Sequence, residues 1–144
     1  MKIFDAILGS FIGGFVTAFC FGILSWFVAY NMDPGPGMNP GPCWGCAHLA
    51  AVVAGFPGFV LGLPLGFVIS FLNRGLVPGT FLGLALGVIM LILAMQQGGH
   101  PDFSVRNPLV LASLPAGILS GFFTALILTL LSRLDDSAKP NRRK

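Results

Sequence analysis

No glutamate occurs anywhere in the 144 residues, and the acidic side chains number only five. Charged residues make up 9% of the chain, against about a quarter in ordinary soluble domains. So few charges cannot cover the surface of a soluble globular fold, and that class is excluded. Disorder over most of the chain is excluded as well, because it requires low hydrophobicity and high charge. Three cysteines are too sparse for a disulfide scaffold. A nucleophile–base set, a phosphate-binding glycine loop and a nucleic-acid motif are all missing from the sequence. The reading is therefore non-enzymatic, with no cofactor and no nucleic-acid partner.

Apolar residues fill the space the charges leave. They make up 55% of the chain, and the mean hydropathy is +0.87. Four runs reach the roughly 20 residues that carry a helix across a hydrocarbon core of about 30 Å. They cover 7–30, 48–72, 76–95 and 108–132, and none contains Asp, Glu, Lys or Arg. Barrel strands would be shorter and would alternate polar with apolar. The predicted fold is an all-α integral membrane protein, a single four-helix transmembrane domain over 1–132. A basic, disordered tail over 133–144 follows it. Ion-coupled transporters and proton relays place ionisable groups inside their spans, so neither activity is expected here.

Cationic side chains set the orientation. With the amino terminus inside, Lys2, Arg74, Arg133, Lys139, Arg142, Arg143 and Lys144 are inside, and only Arg106 is outside. Such a bias places both termini in the cytoplasm. The expected location is a multi-pass position in a membrane, the inner membrane if the source is bacterial. Arg133, Lys139, Arg142, Arg143 and Lys144 are read as topology anchors resting on anionic lipid. Trp26, Tyr30 and Trp44 gather where the first span meets the outer interface. The first run is longer than a signal-peptide core and is read as an uncleaved span.

Small residues recur every fourth position in each run: Ser10, Gly14, Ala18 and Gly22; Gly58, Gly62 and Gly66; Gly79, Gly83 and Gly87; Ser113, Gly117, Gly121 and Ala125. Such stripes let helix backbones approach closely in lipid, where hydrophobic burial gives no drive. Tight packing inside one bundle is the plainest use for the stripes, yet four of them exceed what one bundle is expected to consume. The surplus points to an accessory or assembly subunit of a membrane complex, meeting other subunits or further copies of itself. The hydroxyls of Thr17, Ser25, Ser70, Thr80, Ser120, Thr124 and Thr129 are candidates for bridging helices. Pro57, Pro64 and Pro115 interrupt spans two and four and predict kinks. Leu63-Pro64-Leu65-Gly66 echoes Leu114-Pro115-Ala116-Gly117 and hints at a duplicated hairpin.

One segment carries a chemical signature. Cys43-Trp44-Gly45-Cys46 is a C-x-x-C in a proline- and glycine-rich outer loop. The pair suits a structural disulfide, thiol exchange or half of a metal site. With His48 and His100 it would make a four-ligand set for zinc or copper(I). The alternative function is thus an outer-face thiol-redox or soft-metal protein. Four spans, cytoplasmic termini and this motif resemble the quinone-linked disulfide-forming membrane oxidoreductases. Those enzymes carry a second cysteine pair in the other outer loop. This chain has none there, and its third cysteine, Cys20, lies in the first span. A basic tail on a small multi-span chain also resembles phage holins in outline, which leaves a small-solute channel or holin-like pore as a third reading.

Overall fold

The computed structural model of the protein describes residues 2–31, 44–72, 75–97 and 108–138. All the regular structure among them is helical: α1 (Lys2–Asn31), α2 (Trp44–Leu72), α3 (Leu76–Gln97) and α4 (Pro108–Ala138). Each helix contains a stretch long and apolar enough to cross a membrane. The fold is therefore that of a polytopic four-helix membrane protein.

The helices pair into two hairpins: α1 packs most extensively on α2, and α3 on α4. The hairpins meet chiefly through α1 and α4, whereas α2 and α3 touch little although only three residues separate them in the sequence. The core lies at this junction. Phe21 is its largest fully buried side chain, packed in a cluster with Ala54, Leu65, Ile69, Leu86, Met90, Ala116, Ala125 and Leu128. Large side chains elsewhere point outward: Phe4, Phe11, Phe15, Phe19 and Phe27 of α1 are all exposed on the bundle. This inversion is the one lipid requires, since hydrocarbon solvates phenylalanine while only small residues permit close backbone contact.

The helices extend beyond the apolar runs. α4 continues through Arg133 to Ala138, so the first part of the expected disordered tail is helical. α2 starts at Trp44, which puts Cys46 in its first turn and not in the outer loop, while His48 is helical as the apolar run predicts. Pro57, Pro64 and Pro115 are accommodated inside their helices, with Pro64 and Pro115 on the exposed side. The two Leu-Pro-x-Gly segments do not occupy equivalent places. Pro64 stands near the end of α2, and Pro115 near the start of α4.

Candidate functional site

The polar end of the first hairpin is built from the last turns of α1 and the first turns of α2. Trp26 and Tyr30 are one turn apart on α1, and their rings stack at 5.0 Å and 8°. Trp44 meets both edge-on, at 6.0 Å from Trp26 and 5.3 Å from Tyr30. His48 lies one turn after Trp44, stacked on it at 6.1 Å and perpendicular to Trp26 at 6.4 Å. The His48 Nδ1 lies 2.7 Å from the Trp44 carbonyl oxygen. That oxygen only accepts, so Nδ1 is the donor in this contact. Edge-to-face and offset contacts of this kind are worth about 0.5–1.5 kcal/mol each beyond burial. The four rings therefore lock the two helix ends together.

Of the proposed metal ligands, Cys43 and His100 lie outside the described residues. Cys46 is held in a disulfide and is not a free thiol. A disulfide sulfur is not the thiolate that zinc or copper(I) requires, so Cys46 does not fit the role of ligand in this state. Among the described residues, no three His, Cys, Asp or Glu side chains come together as a metal-binding group. The remaining cysteine, Cys20, is a free thiol, half-buried on α1.

The small-residue faces are turned toward one another within the chain. In the first hairpin Gly62 and Gly66 of α2 lie against Gly9, Gly13 and Thr17 of α1. A methyl group built on Gly62 would stand 2.5 Å from the Gly13 carbonyl oxygen and 2.6 Å from Thr17 Oγ1. In the second hairpin Gly79, Gly83 and Gly87 of α3 lie against Ser113, Gly117, Gly121 and Ala125 of α4. A methyl group on Gly117 would stand 2.5 Å from the Gly83 carbonyl oxygen. The α1 contact is displaced by one position from the stripe that begins at Ser10. Gly9 and Gly13 make the backbone approach, while Gly14 meets the side chains of Leu63 and Phe59. Ala18 and Gly22 make looser contact, with Gly58 and Ala51. Gly9 and Gly13 form a four-spaced series of their own with Thr17, a signal present in the sequence beside the one read.

Hydroxyls divide into three groups. Ser10 donates to the Leu63 carbonyl at 2.8 Å and Ser70 to the Asp5 carbonyl at 3.4 Å, so these two bridge α1 and α2. Thr80, Ser113, Ser120, Thr129 and Ser132 donate to carbonyls three or four residues back in their own helices. Thr17, Ser25 and Thr124 are fully buried, and their hydroxyl oxygens have no hydrogen-bond partner among the described residues. Among the cationic residues of the tail, Arg133 is exposed on α4, and Lys139, Arg142, Arg143 and Lys144 lie outside the described residues.

Comparison with protein-family models, with characterised proteins and with solved structures finds no match to this chain.

Proposed function

We propose that the protein is a non-enzymatic membrane scaffold, an accessory or assembly subunit of a larger membrane complex. The observation that carries this reading is where the polar side chains send their protons. Ser10, Ser70, Thr80, Ser113, Ser120 and Thr129 donate to helix carbonyls, either in their own helix or across the first hairpin, and Thr17, Ser25 and Thr124 are sealed inside the bundle. Polar chemistry is thereby committed to packing. The glycine faces, too, are occupied by one another. They are not the surplus that suggested a partner, so a partner's helices would meet the large exposed side chains, foremost the phenylalanines of α1.

In the same reading both termini are cytoplasmic and the Cys46 end of α2 faces outward, in keeping with the placement of the cationic residues. Cys43 pairs with Cys46 as a staple over a small loop, a modest stabiliser because the chain entropy removed grows with loop length. Lys139, Arg142, Arg143 and Lys144 rest on anionic lipid.

The test is cross-linking in native membranes followed by purification in mild detergent and identification of what accompanies the chain. A defined protein, or further copies of this chain, recovered at fixed stoichiometry is the expected result. A chain that is monomeric and alone after cross-linking overturns the proposal. A Cys43→Ser, Cys46→Ser double variant should assemble as the parent does. If it assembles but a measurable thiol-oxidising or metal-dependent activity disappears with it, the alternative reading takes its place.

A further inference from the structure

A groove of about 560 Å³ opens on the face of the bundle where α1 and α4 meet. Its walls are apolar: Phe15, Phe19, Cys20 and Ile23 from α1, with Leu119 and Phe123 from α4. Along α1 it runs from Phe15 to Leu24. At 1.5 Å per residue that is about 14 Å, close to half of a hydrocarbon core of about 30 Å. The apolar stretch of α1 extends from Phe4 to Asn31, so the groove starts near its middle and rises toward its carboxy-terminal end. A partner helix would need a track along the whole span. A groove of one leaflet's depth suits a single extended hydrocarbon chain.

The upper end of the groove leads to the aromatic cluster. Phe19, Ile23, Trp26 and Tyr30 follow one another at helical spacing and share a face of α1. Trp26 and Tyr30 belong to the ring cluster completed by Trp44 and His48. Rings of this kind, apolar in body with a polar tip, mark the headgroup level of a bilayer. An apolar groove one leaflet deep and a set of indole and phenol donors above it are thus aligned on one helix face.

We infer that this face holds a phospholipid of the leaflet at the carboxy-terminal end of α1. One acyl chain lies in the α1–α4 groove, and its headgroup region rests against Trp26, Tyr30 and Trp44. The walls offer no charge to bind a polar solute, and the ring cluster supplies N–H and O–H donors to phosphate or ester oxygens. The site does not rest on the accessory-subunit reading: Phe15 and Phe19 line the lipid groove, and Phe4, Phe11 and Phe27 of α1 stay open to a protein partner.

The full chain, reconstituted in palmitoyl-oleoyl phosphatidylcholine vesicles and released into dodecyl maltoside, is examined by native mass spectrometry. One phospholipid per chain should survive release. Leu119→Trp, which fills the groove, should lower that occupancy at least fivefold, whereas Val60→Trp on the exposed side of α2 should leave it unchanged. Equal retention in wild type and Leu119→Trp, or equal loss in both variants, overturns the inference, because either result describes non-specific annular lipid. A measurement on the unaltered protein guards against misfolding of the variant. Alkylation of Cys20 by N-ethylmaleimide should be at least fivefold faster in protein delipidated by prolonged detergent washing than in the lipid-bearing protein, and should slow again when the phospholipid is added back. An unchanged rate also overturns the inference.

Discussion

Gly13 of α1 and Gly62 of α2 exclude side chains reciprocally: a methyl group built on either would stand 2.5 Å from the carbonyl oxygen of the other. The obstacle is backbone, which cannot swing aside as the end of a flexible side chain can. Gly13→Ala or Gly62→Ala should therefore destabilise the first hairpin at the upper end of the roughly 1–3 kcal/mol typical of overpacking, and Gly62→Leu by more. Gly45 has open space around it, and Gly45→Ala should stay within about 0.5 kcal/mol of the parent. Thermal or denaturant unfolding in a defined detergent measures the difference. Equal stability of Gly13→Ala and Gly45→Ala would refute the close contact.

The second hairpin repeats the arrangement with its own residues, so the two contacts should behave as separate units. Gly83→Ala and Gly117→Ala touch the same interface and should be strongly non-additive in combination. Gly13→Ala combined with Gly83→Ala involves different hairpins and should add within about 0.5 kcal/mol. A double-variant unfolding cycle decides it; strong coupling between Gly13 and Gly83 would mean that the hairpins do not pack as described.

The hydroxyls predict opposite signs for similar changes. Ser10 donates across to Leu63, and Ser10→Ala should cost about 0.6 kcal/mol, the mean for such bonds between membrane helices. Thr17 and Thr124 are buried with unpartnered hydroxyls. Replacing either by isosteric valine removes an unsatisfied polar atom and should be neutral or stabilising by up to about 1 kcal/mol. Unfolding midpoints of the three variants check the signs. A clear loss of stability in Thr17→Val would reveal a partner for that oxygen.

An even number of spans returns the chain to the side from which it started, and the proposed topology puts that side in the cytoplasm. Reporters fused after Lys144 and within the segment around Asn39 should read opposite sides of the membrane. A carboxy-terminal reporter active only outside would contradict four spans.

Cys20 and Cys46 should differ toward a small alkylating reagent that enters detergent micelles. Cys20 is a free thiol and should react without reductant. Cys46, held in a disulfide, should react only after reduction. Peptide mapping of the labelled sites distinguishes them, and reaction of Cys46 in the unreduced protein would restore it as a candidate ligand or exchange thiol.

The sequence alone determined the membrane class and the four helices. A run of some 20 apolar residues without charge has one stable arrangement in lipid, because every backbone N–H and C=O must find its partner within the helix. The small-residue periodicity of α2, α3 and α4 was legible for the same local reason: Gly62, Gly83 and Gly117 each belong to a series that recurs on one face. Tertiary structure decided what those faces meet. In α1 two small-residue series lie side by side, one through Gly9 and Gly13 and one through Ser10 and Gly14, and only the crossing of α2 selects the first for backbone contact. It also decided that the stripes satisfy one another within each hairpin, and that the phenylalanines of α1 are left to face lipid or a partner. The alignment of Trp44 and His48 with Trp26 and Tyr30 is likewise a product of packing. Helix formation depends on hydrogen bonds within a segment, whereas the choice of packed face depends on the shape of a second helix, which no single segment encodes.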